Sequence, residues 1–247
     1  MTFSSVFKRP WLSFFCGVGV LILIGLGSWQ VKRLAWKNDL VARVEARVGG
    51  DEVWSFDQVV SEALNDPEYL PVTVEGVYLP GPGAHVFGTY DGAAGWYVFQ
   101  AFQFLKTDLP DVFGGVVLIN RGFVLDENRS EDGTYSLPKG VTQERGLVRK
   151  FRPAGVFSPA PDLQGGSFYA RDRDALIEYF FKNAPDRDQI TTLYIDSTIN
   201  VSVENSPRGG TTRLEFNNRH LGYAITWYGL ALGLMATYLF MLRKPKA

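Results

Sequence analysis

Soft and titratable ligands are scarce in this chain. One cysteine, Cys16, and two histidines, His85 and His220, serve 247 residues. Methionine occurs at Met1, Met235 and Met241 only. A single cysteine forms no disulfide within the chain, no Cys-x-x-Cys redox pair and no thiolate-rich metal site. Soft-ligand copper sites draw on Cys and Met, which argues against a copper chaperone. Catalytic signatures are lacking too: there is no Gly-x-Ser-x-Gly, no His-Glu-x-x-His and no phosphate loop. A hydrolytic triad would have to use His85, which follows Pro80-Gly81-Pro82-Gly83-Ala84. The expectation is a protein that is not an enzyme, with a membrane-tethered hydrolase or sensor as the remote alternative. A net charge of −1 gives no sign of nucleic acid, which calls for a basic domain.

Two long runs carry no charge at all, residues 11–29 and residues 221–242. A bilayer core of about 30 Å is crossed by about 20 apolar residues in a helix, so both runs are long enough. Trp, Tyr, Lys or Arg bracket each, as suits interfacial anchors. The first run is too long for a signal peptide and ends in the bulky, basic GSWQVKRLAWK. Residues 30–220 between the runs hold all 26 acidic residues and 20 of the 25 basic ones, a net excess of six negative charges. The tails, residues 1–10 and 243–247, carry only basic charge. Positive tails place both termini in the cytoplasm and residues 30–220 outside.

The exported segment reads as α+β and β-rich, enclosed by the two transmembrane helices. Val31, Leu34, Ala35, Leu40, Val41, Val44 and Val48 recur at helical spacing, so the first helix continues to Gly49-Gly50. A short helix is expected after Ser55 as cap, broken by Asn65-Asp66-Pro67. LPVTVEGVYL, AHVFGTY, WYVFQAFQFL, GVVLINRGFVL and ERGLVRKF are strand-like, as are the later TTLYID, NVSVE and RLEF. Residues 171–184 form a helix that stops at Pro185.

His220 opens the second apolar run. At about 100° per residue, Ala224, Trp227, Ala231 and Tyr238 fall within about 40° of it. Gly222, Gly229 and Gly233 fall nearly opposite, and Gly229-x-x-x-Gly233 allows close helix approach. The expectation is a glycine face packed on the first span and a His220 face turned outward. Small alanines between aromatics would suit the edge of a haem with imidazole as axial ligand. The competing reading is an interfacial histidine hydrogen-bonded near the headgroups. In INRGFV, Gly122 bends a strand and Arg121 is presented, able to bind a carboxylate such as a haem propionate. Against that stands an ordinary strand-edge ion pair. Arg208, Arg213 and Arg219 carry the same two readings. Trp29 and Trp36, with Lys32, Arg33 and Lys37 between them, are explained as membrane anchors.

Together, WQVKRLAWK after the first run, NRGF in the middle and NNRHLGYAITWYGLA entering the second resemble the surfeit locus protein 1 (Surf/Shy) family. The resemblance covers the whole layout of two spans and one exported domain. Phe123, Val124 and Leu125 stand where the family commonly has Trp followed by Val-Pro. Phe168-Tyr169-Ala170-Arg171-Asp172 stands for a later Trp-x-x-Arg-Asp element. The resemblance implies an assembly factor of cytochrome c oxidase that makes haem a available to the catalytic subunit, with haem A synthase as a further partner. It implies His220 as the ligand of the haem iron. Trp227, Tyr238, Arg121 and Arg219 are the other candidates for the cofactor. A haem-free scaffold that stabilises the oxidase subunit is the alternative. Ten residues before the first run leave no room for a transit peptide, so a bacterial inner membrane is the expected location.

Overall fold

The computed structural model describes residues 10–49, 53–56, 58–59, 66–105, 115–182, 192–200, 206–212 and 219–243. The elements are α1 (Pro10–Val48), β1 (Trp54–Ser55), β2 (Pro71–Tyr78), β3 (Ala84–Tyr90), β4 (Ala93–Phe104) and β5 (Val116–Leu125). They continue with β6 (Thr142–Lys150), β7 (Ser167–Phe168), α2 (Arg173–Phe181), β8 (Leu193–Ser197) and α3 (His220–Arg243). The chain divides into two compact units, Met1–Arg43 with Leu214–Ala247, and Val44–Arg213.

In the second unit the sheet closes on itself. Strands run β2-β6-β8-β5-β4, and β4 returns to β2 through Gly76↔Phe104, Val77↔Gln103 and Tyr78↔Phe102. The β5–β8 pair is parallel and the other ring contacts are antiparallel. At 12 residues β4 is long enough to serve two neighbours along one edge, β3 over its first part and β2 over its end. A five-stranded ring removes the unpaired edges that an open sheet would expose.

Alternation sorts the side chains onto two faces. Val72, Val74, Phe102, Val117, Ile119, Val148 and Ile195 form one buried cluster, the barrel interior. Leu118, Tyr194, Phe99 and Val86 belong to a second, which α2 covers with Leu176 and Ile177. Asp172 caps α2 by accepting from the Ala175 N–H, 3.1 Å. The strands expected from residues 70–79, 84–90, 96–105, 115–125, 144–151 and 191–196 are present within a few residues. Ser55 does act as a cap: its Oγ accepts from the Gln58 N–H, and Gln58 Oε1 accepts from the Ser55 N–H. That reciprocal pair is a capping box. The strands expected at NVSVE and RLEF lie outside the described residues.

The first unit is a pair of helices. α1 runs 39 residues and stops at the expected Gly49. Both α1 and α3 are long and apolar enough to cross a membrane. The boundary between the units falls at Val44, within α1. The last turn of α1 belongs with the barrel, where Arg47 donates to the Glu68 carbonyl (2.6 Å) and pairs with Asp66 at 3.2 Å.

Candidate functional site

His220 is the first residue of α3, and its Nδ1 lies 2.7 Å from Gln30 Oε1 on α1. With an amide oxygen as acceptor, Nδ1 carries the hydrogen. The hydrogen bond fixes the ring's orientation and leaves Nε2 as the nitrogen that could ligate a metal. Two more hydrogen bonds tie the helices together. Tyr228 and Ser28 hydroxyls meet at 3.1 Å, and the Tyr238 hydroxyl donates to Ser13 Oγ at 2.7 Å.

These contacts reverse the expected facing of α3. Ala224 and Ala231, on the His220 side, are buried, whereas Gly222, Gly229 and Gly233 have open space where a Cβ would be. The close approach uses glycines of α1 instead: a Cβ on Gly27 would stand 2.8 Å from the Tyr228 ring, and one on Gly19 would stand 3.1 Å from Leu234. The physical reason is polar. Three side-chain hydrogen bonds emanate from the His220 side, and polar pairs hold apolar helices together more specifically than a glycine stripe. On the exposed face, Thr226 and Thr237 return their hydroxyls to the Gly222 and Gly233 carbonyls.

Arg219 is exposed and directly precedes His220. Trp227 is half-buried on the same helix side, and Tyr238 is committed to Ser13. Gln30 was missed by sequence reasoning. The signal available was a hydrogen-bonding side chain at the mouth of an apolar run, where polar groups find partners. At the mouth of α1, Arg33 lies over the Trp36 ring at 4.7 Å, as an anchor pair would.

Arg121 sits in the barrel unit, and it is not presented at a strand edge. Between Tyr97↔Phe123 and Phe99↔Asn120, Val98 alone opposes Arg121 and Gly122, so NRGF is a β-bulge on β5. The extra residue switches faces: Ile119 joins the interior cluster and Phe123 the outer one. Gly122 has φ +127°, and a Cβ there would lie 1.9 Å from the Arg208 carbonyl oxygen. That approach is used, because Phe123 and Arg208 exchange two backbone hydrogen bonds of 2.9 Å. Arg121 is 7% exposed; it donates to the Ser136 carbonyl at 2.6 Å and lies 5.3 Å over the Tyr78 ring. Burial pulls its guanidinium below the ordinary value, while Tyr78 and Glu144 hold it up. Burial likewise raises the Glu144 carboxyl, against hydrogen bonds from Tyr78 and Ser197.

On the other face of the same strands, Asp196 collects three donors. Asn120 Nδ2 (2.7 Å), Arg149 Nη1 (3.0 Å) and Thr212 Oγ1 (3.1 Å) all reach its carboxylate. The asparagine and arginine of NRGF thus anchor one strand to both sides of the barrel wall. His85 is buried, with Nε2 2.7 Å from the Tyr135 hydroxyl and the ring edge-on to Trp96. Burial first, then Arg129, lowers its pKa to about 4. Among the described residues, no serine, cysteine or threonine hydrogen-bonds this ring; its Nε2 partner is the Tyr135 hydroxyl. A cavity of about 870 Å³ opens beside the bulge, lined among others by Tyr90, Phe123, Arg129, Tyr135 and Arg208. Among the described residues, no three of His, Cys, Asp and Glu cluster as a metal site.

Fold and site define a class: a closed β-barrel domain carried between two helices apolar enough for a membrane, with one oriented histidine at a helix start. The SURF1 family model matches residues 18–232. Surfeit locus protein 1 of Rattus norvegicus is 31% identical over 222 residues, covering 83% of this chain and 67% of the relative. The human protein of that name is 30% identical over 234 residues, covering 86% and 73%. That of Gallus gallus is 27% identical over 246 residues, covering 92% and 74%. This chain belongs to the SURF1 family. Membership accords with the expectation that it is not an enzyme.

Proposed function

We propose that the chain is an assembly factor for cytochrome c oxidase that holds haem a at His220 before its transfer to the catalytic subunit. α1 and α3 act as transmembrane helices of a bacterial inner membrane, with the tails cytoplasmic and the barrel domain periplasmic. Haem A synthase is the partner expected to supply the haem. The observation that carries this reading is the 2.7 Å contact between His220 Nδ1 and Gln30. It sets the tautomer whose Nε2 can bind iron, and it holds the ring in place from a second helix. His220 would hold the haem through its iron. Arg219, exposed beside His220, supplies a positive charge for a propionate. Trp227 adds an aromatic surface, whereas Tyr238 serves helix pairing through Ser13. Arg121 serves the barrel, where it fills the buried end of the bulged strand.

A haem-free scaffold is the second reading. The observation that favours it is the burial of Ala224 and Ala231, because alanines packed within the helix pair offer no open wall to a haem. The visible spectrum of the protein, purified in mild detergent from cells that make haem a, separates the two. A haem a band in the wild type that disappears in His220→Ala supports haem handling. A well-folded protein without pigment, still co-purifying with the oxidase subunit, establishes the scaffold instead.

A further inference from the structure

Residues 151–162 form a loop between β6 and β7 whose tip is apolar and fully exposed. Val156 is 97% and Phe157 99% exposed. They are the two central residues of a turn closed twice, by Ser158 N–H to the Gly155 carbonyl (2.9 Å) and by Gly155 N–H to Ser158 Oγ (3.0 Å). Turn centres favour Gly, Pro, Asn and Asp, so a Val-Phe pair there gains nothing for the turn itself. The loop below is braced. Phe151 packs on Tyr194 at 5.0 Å, Arg152 N–H donates to the Arg171 carbonyl, and Ala154 N–H donates to Asp172. Pro153, Pro159 and Pro161 stiffen both arms. The tip is therefore held out in one conformation rather than left to collapse.

Two exposed cations also flank the tip. Lys150 and Arg152 stand on the arm that leads to the tip, whereas residues 30–220 as a whole are acidic; Asp162 closes the other arm and Asp172 accepts from Ala154 at the base. Arg149 is taken up by Asp196. Lys150 is exposed, and Arg152 is 71% exposed although it reaches Glu68 at 3.7 Å. A protein-docking anchor is normally ringed by contacts that exclude water. Here two apolar side chains stand alone at a tip with the exposed Lys150 and Arg152 on the arm beneath it, the pattern of a wedge for an anionic lipid surface.

We propose that this loop is a lipid-inserting finger: Val156 and Phe157 enter the boundary between headgroups and acyl chains, and Lys150 and Arg152 contact anionic headgroups. The proposal rests on the reading of α1 and α3 as membrane spans. It gives the barrel domain a third point of attachment, besides the two helices at its ends.

The single native cysteine makes the test direct. Full-length protein in nanodiscs is labelled with an environment-sensitive dye at native Cys16, or, in a Cys16→Ser background, at Val156→Cys or at Glu131→Cys, an exposed control in the same domain. Lipids carrying spin-label quenchers on their chains should dim the dye at 16 and at 156 but not at 131. Replacing phosphatidylglycerol by phosphatidylcholine should weaken quenching at 156, and Arg152→Gln should weaken insertion about fivefold in the presence of phosphatidylglycerol. Quenching at 16 with none at 156 overturns the finger and leaves the spans. No quenching at 16 overturns the membrane reading and the finger with it. A dye at 156 that is shielded only when the oxidase subunit is added makes the tip a protein contact and overturns the lipid assignment.

Discussion

Leu21 and Leu232 of the helix pair are 71% and 73% exposed, whereas Phe102 and Ile119 of the barrel are wholly buried. The two units also place polar groups differently. The barrel keeps its buried polar side chains in networks, such as Asp196 with its three donors and Arg121 with Ser136, Tyr78 and Glu144. The helix pair places hydrogen bonds at intervals along one seam, among them those of His220, Tyr228 and Tyr238. On the proposal that α1 and α3 are membrane spans, the difference follows from the solvent around each unit. Water drives the barrel's apolar side chains together, and an unsatisfied polar group inside costs the most. Between helices in lipid there is no such drive, so close packing and polar pairs decide which faces meet.

The sharpest break falls on the barrel alone. Gly122→Ala places a Cβ against the Arg208 carbonyl at a φ that side chains rarely adopt. The expected loss is about 4 kcal/mol of barrel stability in chemical denaturation, with the helix pair unaffected. Next, Arg149→Leu leaves the Asp196 carboxylate buried without its cation and should cost about 3 kcal/mol in the same measurement. A full recovery in the double variant Arg149→Leu, Asp196→Leu would show that the network serves specificity more than net stability. A negligible effect of either single change would contradict the view that the bulge and the Asp196 network hold the barrel together.

The third test uses pH. His85 has a folded pKa of about 4, below its ordinary value of 6.5. As pH falls from 6.5, the unfolded chain takes up the proton first. The stability held above pH 6.5 is therefore lost progressively down to about pH 4, by at most about 3 kcal/mol. Glu144 works in the opposite direction, because its raised pKa adds stability as pH falls through it. The His85 share is read by difference: thermal unfolding of His85→Phe should lose this part of the pH dependence. An unchanged profile would mean that the His85–Tyr135 pair does not govern acid stability.

Strand positions were legible because the segment between the two apolar runs carries alternating stretches between turn signals, as in AHVFGTY for β3. Barrel closure was not, since it depends on β4 being long enough to reach β2 after pairing with β3, a matter of register rather than of local pattern. NRGF showed a bend in its glycine, but the direction of Arg121 depends on counting residues on the opposite strand. The facing of α3 was misread for a related reason. Glycine spacing is visible in one helix, whereas the partners Ser13, Ser28 and Gln30 lie on the other. His220 itself was legible as one of two histidines at the start of an apolar run. Its orienting partner, 190 residues away, was not.

The smallest expected effect in stability falls on the helix pair and bears most on function. Gln30→Leu removes the acceptor of His220 Nδ1 while leaving the imidazole and the apolar seam. One hydrogen bond between helices in lipid is worth about 1 kcal/mol, so the pair should remain assembled. Loss of a histidine's orienting partner lowers metal affinity about 10- to 100-fold. The two numbers separate the proposals. If His220 holds haem a, Gln30→Leu should weaken haem retention by about tenfold or more, read from the visible band during titration or dialysis, with the helix pairing and oxidase co-purification nearly unchanged. If His220 only pins α3 to α1, no haem band responds. The effect then appears as a modest loss of helix pairing, shared equally by Tyr228→Phe and Tyr238→Phe, which break the other two bonds of the seam.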